Sequence, residues 1–383
     1  MEPELVPLSL YVHLPWCVKK CPYCDFNSHT SRQELPKSQY IEQVLGDLNY
    51  EVSRLDNPRP LVSIFFGGGT PSLFSAKEIG RIIQGAKSLL PVNDTLEVTL
   101  EANPGTVEHD SFQAYREVGV TRVSLGIQSL NDHSLNTLGR IHNSQAAEQA
   151  IQQVRNEFDN FNLDLMFALP GQKAHMATAD IQQLLNHQPP HVSYYQLTLE
   201  PGTAFYARPP QLPEDEQAWE MQTTGRTTMQ NGGLEQYEVS AFAQPGKRCE
   251  HNVNYWQYGD YIGVGAGAHG KLTQADGLLR RTQKQRLPNN YMNSKGDTVT
   301  VGRQTVSCEE QLFEFMLNEL RQIEGASRKR FETRTYASLA QLDERLAAPI
   351  EKGLLRETPD GWAATDLGWR FLNDLQACFL PNK

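Results

Sequence analysis

The chain has 383 residues, 39% hydrophobic and 21% charged, and its formal net charge is -10. These values are ordinary for a soluble globular protein with one large and one smaller domain. The negative net charge argues against general nucleic-acid binding, which depends on clustered Lys and Arg. A local basic patch, such as Arg280-Arg281, can still occur on a chain of this net charge. No apolar run of 18 residues occurs, so no membrane-spanning helix is predicted.

The first predicted element is a strand over the apolar, β-favouring run from Leu8 to Leu14, and a cysteine-rich loop follows it. Cys17, Cys21 and Cys24 are half of the six cysteines in the chain. The N-terminus has no apolar signal-peptide region, so we expect a reducing, cytoplasmic compartment in which disulfides are disfavoured. We therefore interpret the three thiols as ligands of a metal or cluster.

Three thiolates can bind a [4Fe–4S] cluster and leave one iron open for a further ligand. A zinc site is an alternative, with His13 or His29 as the fourth ligand, but zinc spacing usually pairs two CxxC or CxxC/HxxxH units. Three free core cysteines are a second alternative, although a loop with Lys19, Lys20 and two prolines is a poor place to bury thiols. The CxxxCxxC spacing resembles the signature of radical S-adenosylmethionine (SAM) enzymes, in which SAM chelates the open iron.

Strands and helices then alternate along the chain. A helix is predicted over 40–52, and a strand over 61–66 runs into Gly67-Gly68-Gly69-Thr70. Ser75 and Glu78 form a capping box that opens the next helix. The alternation continues with strands over 96–101, 122–128, 163–169 and 192–199 and helices over 107–118, 146–158 and 181–186.

Six strands that alternate with helices predict parallel βα units with right-handed crossovers. A doubly wound sheet would give the same alternation. The cysteine loop, the glycine run, Glu101 and Gln128 all follow or end strands, and in barrels that edge carries the catalytic site. This placement of polar residues favours a barrel-like curl of the sheet.

From residue 201 the alternation ends. We predict a helix over 214–230 and a strand over 237–241, followed by a segment with clustered polar and aromatic side chains, His251 to Trp256. The polar stretch 271–306 is predicted to be an irregular linker or lid.

The last part of the chain is predicted to be a small winged-helix-like α+β module. Ser307 and Glu310 form a capping box that opens its first helix. Further helices near 336–346 and 366–379 flank a hairpin over 354–364. The predicted division of the chain is into residues 1–240, 241–306 and 307–383.

Four polar residues spread over successive βα units form a candidate cofactor site together with the glycine run. The run lets a ligand approach the backbone closely, although an isolated triple glycine also suits a tight turn. Glu101, Gln128, Arg140 and Asp164 each have a plain interpretation as surface or capping groups. As a set, they could bind the ribose hydroxyls, carboxylate and adenine of SAM.

The segment from His251 to Trp256 supplies an imidazole and two aromatic rings in six residues. One interpretation is a hydrogen-bonded core histidine. Imidazole is also a common ligand of haem iron, and aromatic faces pack on porphyrin. Cys249 and His269 are alternative iron ligands.

Together these motifs resemble the HemW family of haem chaperones, which are related to oxygen-independent coproporphyrinogen III dehydrogenases. The likeness covers essentially the whole chain, and the HNxxYW segment that begins at His251 is its most specific part. The resemblance implies an α/β fold: a partial, open (β/α)6 radical SAM barrel with a small C-terminal domain. It also implies cluster ligands at Cys17, Cys21 and Cys24 and SAM contacts at Tyr11, Tyr23, Gly68, Gly69, Thr70, Glu101, Gln128, Arg140 and Asp164.

One departure from the dehydrogenase pattern distinguishes two functions. That pattern continues CxxxCxxCxC, whereas Phe26 stands at its last position here, and only ten residues precede Tyr11. We therefore expect a chaperone that binds a [4Fe–4S] cluster, SAM and haem and delivers haem to a membrane-bound respiratory haemoprotein. The alternative is a dehydrogenase that oxidatively decarboxylates the propionates of coproporphyrinogen III. We expect no nucleic-acid partner and a location in the cytoplasm or peripherally at the inner face of the membrane, and a homodimer is compatible with this reading.

Overall fold

The computed structural model describes residues 5–30, 34–56, 58–106 and 110–381. A twelve-stranded mixed sheet dominates it. The six strands predicted in the first half are confirmed, with ends that differ by a few residues, and each pairs in parallel with the next. Their bounds are Leu8–Leu14, Leu61–Gly68, Val92–Ala102, Arg122–Gln128, Phe161–Phe167 and His191–Gln196.

Side chains alternate between the two faces along these strands, apart from local register shifts. In the first strand, Leu8, Leu10, Val12 and Leu14 are fully buried in the main apolar core. The residues between them face the other side, where the hydroxyl of Ser63 donates to that of Ser9 at 2.8 Å. Since successive side chains of a strand point to opposite faces, one face packs on helices and the other forms a polar interior.

Helices cover the apolar face of the sheet. The capping box at Ser75 is confirmed, because its hydroxyl accepts from Glu78 N–H and the Glu78 carboxylate accepts from Ser75 N–H. The helix predicted over 107–118 is described as Phe112–Glu117, and residues 107–109 lie outside the described residues. The helices of this region are Lys37–Val52, Ala76–Leu89, Phe112–Glu117, Asp132–Thr137, Ser144–Glu157, Ala174–Leu185, Ala204–Ala207 and Asp215–Asn231.

The sheet continues beyond the six strands at both edges. A seventh parallel strand, Asp260–Val264, pairs with the first strand. At the opposite edge, the strand predicted over 237–241 is two short antiparallel strands, Glu235–Glu238 and Ala241–Ala243. The outermost strands of the described sheet are not paired with each other, so the barrel is partial and open, as predicted.

The prediction of an irregular linker over 271–306 is wrong. Antiparallel strands His269–Thr273, Leu279–Lys284 and Thr300–Val306 extend the sheet there, with the helix Pro288–Asn293 between the last two. Thr300–Val306 is the outermost strand, and most side chains of Leu279–Lys284 and Thr300–Val306 are exposed or half-buried, so few apolar ones are needed there. Their polar composition therefore concealed the strands.

The C-terminal part has its own three-stranded sheet, and its apolar core also includes Tyr258, Leu279 and Val306 from the preceding segment. The predicted hairpin is confirmed as Leu355–Thr358 paired with Gly361–Ala364. The helix predicted near 366–379 is split in two. The remaining strand is Ala326–Ser327, and the helices are Cys308–Glu319, Arg328–Arg334, Leu339–Glu351, Asp366–Arg370 and Leu372–Ala377. The three-part division of the chain itself stays a prediction. No helix in the described ranges is long and apolar enough to cross a bilayer.

Candidate cofactor and ligand site

The cysteine loop, residues 15–27, leaves the carboxyl end of the first strand. It is closed at its base by a short parallel pairing of Trp16–Cys17 with His29–Thr30. Within it, Cys24 N–H donates to the Cys21 carbonyl at 3.2 Å. All three thiols are free and half-buried. This local structure places Cys17, Cys21 and Cys24 along the wall of one cavity.

Polar groups already contact these thiols. Arg140 Nη1 donates to Cys21 Sγ at 3.5 Å, and the Ser28 hydroxyl lies 4.0 Å from Cys24 Sγ. Burial raises the pKa of the Cys17 thiol, and a hydrogen bond from Thr70 acts in the opposite direction. Thiolates are the form that binds iron, so binding of a metal would favour the deprotonated form of Cys17 against the effect of burial.

The zinc alternative assigned the fourth ligand to His13 or His29. The His13 Nδ1 atom lies 3.0 Å from the Tyr11 hydroxyl, and Nε2 lies 2.9 Å from the Asn27 carbonyl, so hydrogen bonds occupy both ring nitrogens. His29 Nε2 lies 3.3 Å from Asn27 Oδ1. Within the described part of the chain, no group of three or more His, Cys, Asp or Glu side chains is arranged around a single ion position.

The glycine loop, Gly67 to Thr70, packs against the cysteine loop. Gly69 N–H donates to the Leu14 carbonyl at 2.9 Å, and Thr70 N–H donates to the Trp16 carbonyl at 2.7 Å. A Cβ at Gly69 would lie 2.5 Å from the Trp16 carbonyl oxygen, and Gly68 has a φ of +111°. The glycines therefore permit close contact between two backbone segments, in addition to the approach of a ligand that the sequence suggested.

Glu101 and Asp164 face the polar interior of the sheet. Glu101 Oε2 accepts from Gly68 N–H at 3.3 Å, and burial, with the Asp164 charge next in importance, raises the pKa of Glu101 to about 8. Asp164 accepts from Asn162 Nδ2 at 2.8 Å, and burial raises its pKa as well. A carboxyl that keeps its proton near neutral pH can both donate and accept hydrogen bonds, as recognition of hydroxyl and amino groups requires.

Gln128 and Arg140 lie at the end of the fourth strand and beyond it. Gln128 is buried with a φ of +69°, a left-handed backbone conformation that is uncommon for residues other than glycine. Its Oε1 accepts from the Tyr195 hydroxyl at 2.7 Å, and Arg140 Nη2 donates to the Gly126 carbonyl at 2.8 Å. Conformations of this kind persist where surrounding contacts hold them and concentrate at functional sites.

Two adjoining cavities are lined by thirteen candidate residues: the three cysteines of the loop, the nine residues that match SAM-contacting positions, and His251. The smaller has a volume of about 480 Å³ and includes the three cysteines; the larger, about 830 Å³, includes Tyr11 and His251. All thirteen candidate residues line one or both cavities. The residues common to both walls are Phe26, Gly68, Glu101, Ser124, Asp164, Ser193, Asn252 and Trp256.

His251 lies on a short helix, Glu250–Trp256, which we call the signature helix. Its Nδ1 lies 3.1 Å from the Ser63 hydroxyl, and its ring packs 4.8 Å from that of Phe65. Burial lowers the pKa of His251 to about 3. The imidazole is therefore neutral, which is the form that binds a metal.

The two alternative iron ligands are placed differently. Cys249 is buried and does not line either cavity, and its thiol donates to Glu97 Oε1 at 3.6 Å. Burial raises the pKa of this thiol to about 12. His269 is exposed at the start of a strand and lines the larger cavity. Of the three candidates, His251 and His269 can reach a ligand there.

Sequence reasoning missed several cavity residues on the inner faces of the strands. Arg122, Asn162 and Ser193 line the larger cavity, and Arg122 and Asn162 are each 2% exposed. The available signal was the alternation of polar residues with apolar ones inside strands that otherwise resemble fully buried ones. Applied strand by strand, that period of two would have found them.

A partial barrel of parallel strands, with three thiols on the loop after its first strand and a glycine loop after its second, is the arrangement of the radical SAM superfamily. Residues 11–184 match the family model of the Radical SAM superfamily, and residues 306–371 match that of the HemN C-terminal domain. Coproporphyrinogen III oxidase (HemN) from Escherichia coli has the same fold. The TM-score is 0.81 at 22% identity, over 99% of this chain and 91% of that one.

Sequence comparison defines the family more narrowly. The chain is 43% identical to the heme chaperone HemW of Haemophilus influenzae, over 100% of both chains. It is also 43% identical to the heme chaperone HemW of Escherichia coli, over 98% of this chain and 99% of that one. The chain belongs to the HemW family, which confirms the resemblance inferred from its motifs.

Proposed function

We propose that the protein is a haem chaperone that holds a [4Fe–4S] cluster on Cys17, Cys21 and Cys24, binds SAM beside it and carries haem in the larger cavity. The observation that carries the proposal is the pair of adjoining cavities, one lined by three free thiols and the other by a neutral histidine among aromatic rings. The name heme chaperone belongs to the relatives. We extend that function to this chain because of the two adjoining cavities.

The residues of the smaller cavity suit a cluster with three protein ligands. Three half-buried thiols come from one loop, and Arg140, whose guanidinium contacts Cys21, supplies a positive charge beside them. When bound, such a cluster leaves one iron open to SAM and supplies a centre for electron transfer. The chain's own contribution is to orient the three thiols and to limit access of water to them.

The same cavity has groups suited to each part of SAM. Residues of the glycine loop, Gly68 to Thr70, line this cavity with the thiols, and the methionyl end of SAM would bind there. Glu101 and Asp164 offer carboxyl groups to hydroxyl or amino groups, and Gln128 offers an amide. Arg140 offers a guanidinium, which suits a carboxylate. Tyr23 adds an aromatic wall on which adenine can stack.

The larger cavity suits haem in size and lining. Its volume of about 830 Å³ lies within the range of cofactor pockets. Because His251 Nδ1 lies within hydrogen-bonding distance of Ser63, that bond fixes the ring and leaves Nε2 as the nitrogen for iron. Tyr11, Tyr255 and Trp256 supply aromatic surface in the same wall. These features support an axial role for His251.

We also propose that haem passes to a membrane-bound respiratory haemoprotein from a cytoplasmic or peripheral position at the membrane. Phe26 lines both cavities and is 58% exposed; Val18, on the same cysteine loop, and Leu287 are exposed as well, although they do not line the cavities. Apolar side chains at the mouth of a cavity suit contact with a protein acceptor. The acceptor, or a second copy of the chain in a homodimer, would meet these side chains.

Anaerobic reconstitution followed by titration with haem tests the proposal. Iron and sulfide should be bound by the wild type and by the controls Cys308→Ser and Cys378→Ser, but lost from Cys17→Ser, Cys21→Ser and Cys24→Ser. His251→Ala should weaken or shift the Soret band with cluster absorbance unchanged, whereas His269→Ala should do little. Zinc without iron in the purified wild type, or a wild-type Soret titration of His251→Ala, would contradict the respective assignment.

The same preparation separates the proposal from the dehydrogenase alternative. With SAM, reductant and coproporphyrinogen III under anaerobic conditions, we expect no release of CO2, because the exposed Phe26 stands where the dehydrogenase pattern has a cysteine. Formation of protoporphyrinogen would contradict the chaperone proposal and favour the dehydrogenase alternative.

A further inference from the structure

A buried arginine in the larger cavity lacks a direct acidic partner. Arg122 begins the strand Arg122–Gln128, is 2% exposed and lines the cavity wall. Its Nε has no hydrogen-bond partner, and it takes part in none of the ion pairs within the described ranges. Buried arginines ordinarily form ion pairs or hydrogen bonds, so this guanidinium can accommodate a further hydrogen-bond acceptor.

The two carboxylates that act on Arg122 electrostatically, Glu97 and Asp164, accept hydrogen bonds from other donors. Glu97 accepts from the backbone N–H groups of Glu250 at 3.2 Å and His251 at 3.3 Å. Asp164 accepts from Asn162 Nδ2 at 2.8 Å and from the Ser124 hydroxyl at 3.4 Å. These groups act on Arg122 through space without forming an ion pair with it.

The guanidinium keeps its charge in this setting. Burial by itself would lower the pKa of Arg122, and the potential of neighbouring acidic groups, Cys249 and Glu97 foremost, raises that pKa above its ordinary value. A charged, planar fork of donors that borders a cavity and has unused hydrogen-bonding capacity is suited to an anion, above all to a carboxylate.

We propose that Arg122 binds a carboxylate of the ligand in the larger cavity. The inference rests on the proposed function: with haem as the ligand, the carboxylate is a propionate. Arg286 also lines the cavity, but it is exposed, so its attraction for a carboxylate is weakened by solvent. Arg122 therefore determines the preference for a porphyrin that carries free acids, while His251 determines the bond to iron.

Titration with haem and with haem dimethyl ester tests this role, because the ester keeps the ring and the iron but lacks both carboxylates. The wild-type protein with its cluster should bind haem about tenfold or more tightly than the ester. Arg122→Gln should lose that preference while it binds the ester as the wild type does. Arg122→Lys should retain part of the preference, and the matched control Arg286→Gln should retain most of it.

Cluster absorbance, SAM binding and thermal unfolding are measured on each variant. Equal binding of haem and ester by the wild type, or an unchanged preference in Arg122→Gln, would overturn the role of Arg122 and leave the chaperone function standing. Equal loss of haem and ester binding in Arg122→Gln would show a structural role instead. If the wild type binds neither compound, the proposed function fails, and this inference fails with it. Should Arg122→Gln not fold, the wild-type preference and Arg122→Lys decide the question.

Discussion

The surroundings of Glu101 favour the protonated form of its carboxyl group. Its pKa is raised to about 8, first by burial and then by Asp164. In the unfolded chain the group would lose its proton near its ordinary pKa of 4.5. Between these two values the folded state binds the extra proton, so the free energy of unfolding falls as the pH rises through this window.

We therefore expect Glu101→Gln to remove this pH dependence. The difference in free energy of unfolding between wild type and variant should change by about 2 kcal/mol from about pH 5 to pH 8. This is less than the full pKa shift implies, because Glu101 lines an open cavity where solvent screens its charge. Denaturant titrations of the cluster-free protein at several pH values measure it. Parallel curves for the two proteins would show that Glu101 ionises normally.

Gly69 is fixed by the backbone of the cysteine loop. Gly69→Ala should destabilise the protein by about 1–3 kcal/mol and lower its cluster content, because the new Cβ would overlap the Trp16 carbonyl. Gly46→Ala is the matched control, since a Cβ on this exposed helical glycine would meet nothing within 4 Å. That control should be neutral or stabilising by about 0.5–1 kcal/mol. Thermal unfolding and iron content check both, and equal behaviour of the two variants would contradict the packing argument.

At the scale of elements, the signature helix is positioned by a carboxylate from a neighbouring strand. Its N-cap residue, Cys249, makes no side-chain capping bond. Glu97 takes that place, since its two oxygens accept from Glu250 N–H and His251 N–H. Asn254 Nδ2 ties the helix to the first strand by donating to the Ser9 hydroxyl at 2.9 Å. The position of His251 therefore depends on contacts distant in sequence.

Glu97→Ala should cost about 1 kcal/mol of stability, as the loss of a helix cap does. It should also weaken haem binding, because the signature helix would be free to shift, while SAM binding should change little. Glu250→Ala is the control, because it removes an exposed carboxylate of the same helix that does not accept these bonds. Haem titration and thermal unfolding distinguish them, and a wild-type haem titration for Glu97→Ala would refute the positioning role.

At the scale of the whole molecule, the edge strands are anchored by a buried charge cluster. Lys284 Nζ lies 2.5 Å from Asp47 and 2.6 Å from Glu51, both on the helix Lys37–Val52. The Tyr291 hydroxyl donates to Asp47 at 2.8 Å. Residues 271–306 are thereby attached to the first helix of the barrel.

Lys284→Met should destabilise the protein by about 3–5 kcal/mol, because two buried carboxylates would lose their cation. It should also make 271–306 sensitive to protease, whereas the wild type and the exposed control Lys295→Met should resist. Limited proteolysis with mass spectrometry locates the cuts. Cleavage of the wild type within 271–306 would restore the interpretation of this segment as a linker.

The sequence by itself determined the order of the βα units and predicted a cluster on the cysteine loop. Apolar periodicity and capping boxes are local, and three thiols at CxxxCxxC spacing need no tertiary information to indicate a cluster. The tertiary structure decided which polar residues share a cavity. Arg122 and Asn162 lie 40 residues apart in the sequence, and both line the larger cavity because their parallel strands are paired and present one face to it. It also decided how the strands of 271–306 are held on the barrel, since the two carboxylate partners of Lys284, Asp47 and Glu51, lie more than 200 residues away and no local pattern encodes them.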